Sequence, residues 1–260
     1  MKHDKPESRK SSVKDLYTGL KFAFSYFSIL PVRLKTADDP SSSGALGAML
    51  FFFPLVGMVL GLLVIGLFYL LSPLGWYAAV FSSVTYMILY GFLHTEAVMD
   101  VADAIYASHS GKNAYETIKK PDVGAMGVLW GIAVVFLKTS GITFLLLHHL
   151  FSLFLSVLIV SRLALLMLFY TQTFRSTFLT QLKKAFSPIY FTTAFFLFTT
   201  GSLLAIGMHF ILLLSFGLMI AWFITKTLQK KLGFINGDVL GTTLESVEIL
   251  LFVTGVLLWL

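Results

Sequence analysis

Long apolar runs dominate this chain, and its polar residues collect between the runs rather than alternating within them. A membrane-crossing helix needs about 20 apolar residues. The runs at 44–71, 74–93, 123–145, 148–170, 188–204, 208–225 and 246–260 approach or exceed that length. Within 188–225 the break falls at Gly201-Ser202 or at Gly207-Met208-His209, both of which read as turns. Segment 16–31 is shorter, contains Lys21 and has basic residues on both sides, which predicts an amphipathic helix that lies in the interface or re-enters. Residues 1–14 hold Lys2, Lys5, Arg9, Lys10 and Lys14 and read as a disordered basic tail, with no apolar stretch and cleavage site of a secretory signal. The expected fold is therefore all-α: an integral membrane protein of six or seven transmembrane helices plus an N-terminal interfacial or re-entrant helix. Residues 15–260 form its single polytopic domain.

Composition agrees with this reading. Apolar residues make up 57% of the chain and charged residues 12%, against about 25% charged in a soluble domain, so too little polar surface remains to face water. Cysteine is absent, which excludes disulfides and thiolate metal sites. The net charge of +6 is read through topology and not as a nucleic-acid signal. Lys112, Lys119 and Lys120 fall in one connection, Arg175, Lys183 and Lys184 in another, and Lys226, Lys230 and Lys231 in a third. The connections at 72–73, 145–149 and 201–209 carry no Lys, Arg, Asp or Glu. By the positive-inside rule the N-terminus and every chemically rich loop are expected on the cytoplasmic side.

Three clusters and two isolated cations suggest chemistry. In 91–104, Glu96, Asp100 and Asp103 stand at i, i+4 and i+7, one face of a helix, with His94 just before them. A solvated helix end would account for such a stripe. However, Ala97, Val98, Met99, Val101 and Ala102 are apolar, so the helix is partly buried and its carboxylates face something polar. Oxygen ligands without thiols favour Mg²⁺ or Mn²⁺. His94 lies opposite Glu96 on an ideal helix, and either a place in the cluster or an ordinary packed histidine is open. The second cluster begins at Asn236-Gly237-Asp238, a turn and helix start where free N–H groups can hold an anion. Asp238, Thr242 and Glu245 share a face, and Glu248 continues it. Capping explains Asp238 alone, not two more carboxylates opening the last membrane helix. In the third, Lys119 to Gly127, Lys120, Asp122 and Gly124 surround a helix entrance that either receives a phosphate or serves as a basic anchor with glycine packing. Lys138 and Arg162 interrupt apolar spans, and such cations face a cavity or pair with an acid. Together these groups suit a metal-dependent phosphotransferase acting on a diphosphate-bearing, partly amphipathic substrate.

At these residues the chain resembles cobalamin synthase, the adenosylcobinamide-GDP ribazoletransferase family. The similarity begins with FSILPV at 27–32 and PLVG at 54–57. It continues through His94–Ala104 (family pattern H-x-D-G-L-x-D-x-x-D-G), 122–127 (D-x-x-x-G-x-x-G), Ser161-Arg162 and 236–248 (G-D-x-L-G-x-x-x-E-x-x-E). The resemblance implies a bacterial inner-membrane enzyme using Mg²⁺ in the last steps of cobamide assembly. It would join GDP-cobinamide to α-ribazole or its 5′-phosphate, with the ribazole 5′-hydroxyl as nucleophile and GMP as product. Glu96, Asp100, Asp103 and Asp238 would form the Mg²⁺ and diphosphate site, and His94 would be the general base. Lys138 and Arg162 would balance phosphate charge, while Lys120, Asp122, Gly124, Asn236, Gly237, Glu245 and Glu248 would surround the bound substrate. The implied partners are these small molecules, membrane lipids, and a second copy or other cobamide-assembly enzymes, with no nucleic acid. Three positions depart from the pattern: Glu96 stands for Asp, and Ala97 and Ala104 replace glycines. Two rival classes are a CDP-alcohol phosphotransferase, whose motif is broken here by Ala104-Ile105-Tyr106 after Asp103, and an ion-coupled transporter, which places its carboxylates at the midplane.

Overall fold

A computed structural model describes residues 13–259. Among these the fold is all helical: α1 Val13–Phe27, α2 Ser43–Phe51, α3 Phe53–Leu70, α4 Trp76–Leu89, α5 Leu93–His109, α6 Ala114–Thr117, α7 Ala125–Leu147, α8 Phe151–Thr171, α9 Thr177–Ala185, α10 Pro188–Ile206, α11 His209–Leu232 and α12 Gly237–Trp259. Six of them, α3, α7, α8, α10, α11 and α12, are long and apolar enough to cross a membrane. α4 and α5 are long and apolar enough only as a pair, which is bent by 75° at the break between them and counts as a seventh span if the two cross together. The expected multi-pass, all-α architecture is present. Most of the basic tail expected over 1–14 lies outside the described residues, and Val13 and Lys14 belong to α1.

α8 is the central post. Of its span 78% is buried, against 22% in both α10 and α11, which turn apolar faces outward. A helix that is apolar all round and lies among others in this way is a core element. α8 packs against α3, α10, α11 and α12, and α7 packs against α4, α5 and α12. α1 is amphipathic and is not among the six spans; it packs on α2. Beside it the Lys21 ammonium pairs with Asp38, and this bond, with a second from the Lys35 backbone N–H, holds the Asp38 carboxyl below the usual carboxylate range.

Three expected boundaries differ. The 44–71 run is two helices, broken at Phe52 because Pro54 sits in the first turn of α3 and is tolerated only there. α2 packs on α1 and α9, and α3 is by itself long and apolar enough to span. The 74–93 run stops at Leu89, where Gly91 (φ 66°) and Phe92 (φ 53°) take left-handed conformations and the chain turns into α5. A left-handed phenylalanine is uncommon; the Ile29 N–H, bonded to Leu89 O at 2.8 Å, braces the turn. Finally, the apolar run at 246–260 is only the second part of its helix: α12 begins at Gly237, where the turn and helix start were expected, and carries the Asp238–Glu248 face in the same span.

Candidate active site

Beginning α12 at Gly237 carries two of its carboxylates into the bundle. Glu245 and Glu248 are both fully buried, as is Lys138 of α7, and Arg162 of α8 is 2% exposed. Lys138 Nζ lies 2.6 Å from Glu245 Oε2 and 2.7 Å from Glu248 Oε2, and Arg162 pairs with Glu248 Oε1. Tyr90 donates to Glu245 at 2.6 Å, Ser161 donates to Glu248 at 3.1 Å, and Arg162 donates to the Tyr86 hydroxyl at 3.1 Å. Two cations and two anions from three helices thus balance in a volume without solvent, the condition under which buried charge is tolerated. Gly57 of α3 makes room, since a Cβ there would meet the Arg162 guanidinium. The expectation that Lys138 and Arg162 neutralise phosphate, and that Glu245 and Glu248 face the substrate, is corrected: these four charges neutralise one another.

A different acidic group opens at one end of the bundle. On α5, Glu96 is exposed and Asp100 half-buried; Asp238, in the first turn of α12, is half-buried as well. Asp100 feels the repulsion of Asp238, Glu96 and Asp103, and Asp238 feels that of Glu96. The two helices meet in a tight seam. Thr242 Oγ1 donates to Ala97 O at 3.0 Å, and a Cβ on Gly241 would lie 2.6 Å from the Ala97 Cβ. Two of the three departures from the family pattern are therefore packing positions: Ala97 is in this seam and Ala104 is fully buried. Only Glu96 opens on the cleft.

Asp103 has another task. Its carboxylate accepts the backbone N–H of Gly124 at 2.6 Å and of Gly127 at 2.8 Å, so α5 supplies the cap that α7 lacks in its own sequence. Glycine is required at both positions, because a Cβ on either would collide with this carboxylate. The helix entrance read as a phosphate site does hold an anion, and the anion is Asp103. Lys120 and Asp122 are exposed in the preceding loop. His94 is 6% exposed and stacked on Tyr90 at 5.6 Å, so it is a packed histidine and not a base presented to the cleft. Asn236 caps α12, accepting from Val239 N at 3.1 Å and donating to Asp238 at 2.6 Å.

The remaining donors suit a hard cation in kind. Glu96, Asp100 and Asp238 are all oxygen ligands. Among the described residues no three Asp, Glu or His side chains converge closely enough to form a metal cage. Mg²⁺ does not need one, since it binds through one or two carboxylates with waters and substrate phosphate. Asp238 also borders a polar cavity of about 380 Å³, lined further by Tyr115, Lys119, Arg175, Asn236 and Gly237. Tyr115 and Arg175 carried no signal that separates them in the sequence from loop residues and positive-inside anchors. Glu96 and Thr95 border a second cavity of about 380 Å³, otherwise mostly apolar, against Gly131, Ile132 and Val135 of α7.

Comparison with known proteins agrees with the motifs. The family model described as Cobalamin-5-phosphate synthase matches residues 19–256. The adenosylcobinamide-GDP ribazoletransferase of Chlorobium chlorochromatii is 30% identical over 252 residues, covering 92% of this chain and 96% of the relative. That of Desulforamulus reducens is 28% identical over 237 residues, 90% of this chain and 94% of the relative. No solved structure matches the chain. The match leaves the CDP-alcohol and transporter readings without support: the chain belongs to the cobalamin-5-phosphate synthase family.

Proposed function

We propose that this protein joins GDP-activated adenosylcobinamide to α-ribazole or its 5′-phosphate, with release of GMP, at the acidic end of its helical bundle. The observation that carries the assignment is the meeting of Glu96 and Asp100 on α5 with Asp238 on α12, beside a cationic cavity, in a chain of this family. The loops at that end include Lys112, Lys119, Lys120 and Arg175, and Lys230 and Lys231 lie in the last turn of α11 there, whereas the turns at 71–75, 148–150 and 207–208 carry no Lys or Arg. By the positive-inside rule this distribution supports a site on the cytoplasmic face, and the family resemblance supports the inner membrane as its location.

The reaction is an exchange at phosphorus. A ribose hydroxyl of the acceptor forms a bond to the phosphate that carries cobinamide, and the bond from that phosphate to GMP breaks, its electron pair leaving with GMP. An acceptor with a 5′-phosphate has its 5′ oxygen already esterified. A secondary hydroxyl is therefore the nucleophile common to both acceptors, in place of the 5′-hydroxyl. Asp100, half-buried between its acidic neighbours, receives the hydroxyl proton, a role the packed position of His94 does not suit. Asp238 and Glu96 would hold Mg²⁺, which when bound supplies positive charge to the diphosphate. The tight α5–α12 seam fixes these carboxylates relative to one another, and positioning is most of what phosphoryl transfer asks of a protein.

The test is GMP release by lipid-reconstituted protein given GDP-cobinamide and either acceptor, with Mg²⁺ or with EDTA. Asp100→Ala and Asp238→Ala are each expected to lower the rate by at least about 100-fold while leaving the melting temperature near that of the parent. Folded parent protein that releases no GMP with either acceptor would overturn the assignment.

A further inference from the structure

Arg175 and Lys119 form a cationic feature that the acidic cleft does not use. Arg175 lies between α8 and α9, and its backbone N–H donates to Ile235 O at 2.8 Å, tying that connection to the turn before α12. Its guanidinium carbon stands 3.7 Å from the centroid of the Tyr115 ring, and Lys119 Nζ stands 4.0 Å from the same centroid. Phe234 packs edge-on against Tyr115 at 5.0 Å. Three connections, before α7, before α9 and before α12, are thus drawn around one aromatic ring.

The two cations have no carboxylate within ion-pairing distance among the described residues, whereas Lys21, Lys138 and Arg162 all do. A topological anchor needs its charge on the correct side of the membrane and nothing more. Lys112 and Lys231, exposed and without a stacking partner among the described residues, meet that need. Arg175 and Lys119 are instead held in place over a ring, and both line the polar cavity of about 380 Å³ that reaches Asn236, Gly237 and Asp238. Stacking occupies the face of a guanidinium and leaves its N–H edge free for a planar or tetrahedral anion. The start of α12, a helix of 23 residues, adds its own partial positive charge to the same cavity.

We propose that this pocket binds the phosphates of the donor nucleotide, with Arg175 and Lys119 as their ligands, and that it retains the nucleoside monophosphate after bond cleavage. Asp238 borders both the pocket and the acidic cleft, so a diphosphate crossing that border places its leaving phosphate among the cations and its reacting phosphate among the carboxylates. This assignment rests on the phosphotransferase reading.

The experiment measures GDP binding by the full-length protein in nanodiscs, with and without Mg²⁺, and the KM values for GDP-cobinamide, α-ribazole and α-ribazole 5′-phosphate. Arg175→Ala is expected to weaken GDP binding and raise the donor KM by at least about tenfold, the effect of losing one charge-assisted contact. The KM for α-ribazole should stay within about twofold, and Arg175→Lys should recover part of the loss. Both variants alter an exposed side chain, and a thermal melt checks folding. Lys119→Ala, also at an exposed position, is expected to act in the same direction. Unchanged GDP binding in folded Arg175→Ala and Lys119→Ala, with the parent active, overturns the pocket and leaves the reaction standing. An increase confined to the KM of the 5′-phosphorylated acceptor overturns the donor assignment. GDP binding that depends on Arg175 in a parent that releases no GMP supports the pocket and overturns the reaction.

Discussion

Replacing Lys138 with methionine tests whether the buried network is held by charge balance. Lys138 is the group that contacts both Glu245 and Glu248, at 2.6 and 2.7 Å. Without it, two buried carboxylates face one guanidinium, and a neutral cluster acquires a full negative charge. Removing one member of a buried ion pair costs about 3–5 kcal/mol, because the partner's desolvation is then uncompensated. Methionine replaces much of the lysine stem, so little of that cost is lost packing. At about 2–4 °C per kcal/mol for a chain of this size, the melting temperature should fall by roughly 6–20 °C at neutral pH in detergent micelles. Lys138→Met combined with Glu245→Gln restores neutrality and keeps an amide oxygen to accept from Tyr90. It should recover at least half of the loss, as read by intrinsic fluorescence or by retention of the folded peak after heating. A single variant melting within about 2 °C of the parent, or a double variant no more stable than the single, would refute the reasoning.

Two further outcomes follow from the helix contacts. Asp103→Asn keeps the shape of the cap but leaves one of the Gly124 and Gly127 N–H groups without its acceptor. It should cost about 1–2 kcal/mol and leave the Mg²⁺ concentration giving half-maximal GMP release unchanged; a marked shift in that concentration would return Asp103 to the metal site. Gly241→Val forces a side chain against Ala97. It should cost about 1–3 kcal/mol and lower kcat by moving Asp238 away from Asp100, so a stable variant with parental kcat would show that the seam does not position the site.

The number of spans was legible because the apolar runs are bounded by charge, by glycine, by Ser72-Pro73 or by the His148-His149 pair, and the α5 acidic stripe was legible because helical spacing alone places Glu96 and Asp100 together. The break at Phe52 was missed although Pro54 stands beside it, since a proline in a helix's first turn and one inside an unbroken span give the same local sequence. The partners of the charges were not legible, and the reason is distance along the chain. Lys138 and Glu245 are 107 residues apart, and nothing local distinguishes a lysine facing a cavity from one facing an acid. The same holds for Asp103, whose carboxylate caps a helix beginning 22 residues later: the sequence carries the need for an anion at Gly124 but not its source. Arg175 was hidden differently. A positive-inside reading accounts for any loop arginine, so the contact with Tyr115 that distinguishes this one exists only once the loops are folded together.

The two charged regions solve opposite problems on one helix. Glu245 and Glu248 are sealed and neutralised, so they exert little field beyond their partners, while Asp238 is left beside other carboxylates with the Asn236 amide as its donor and no ion pair among the described residues. Seven residues separate Asp238 from Glu245, about 10 Å along α12, so the network grips the helix two turns below the cleft. Lys138 and Arg162 hold that point to α7 and α8, and the Thr242–Ala97 contact holds the intervening turn to α5. A site made of mutually repelling carboxylates would otherwise relax by moving its helices apart. Anchoring α12 in a charge-balanced core lets the repulsion persist, and on the proposed reaction a bound cation and diphosphate would relieve it. On this account Ala97 and Ala104 adjust only how the helices pack. Glu96, one methylene longer than the family's aspartate and exposed at the cleft, is the departure through which this chain would alter how the proposed Mg²⁺ is held.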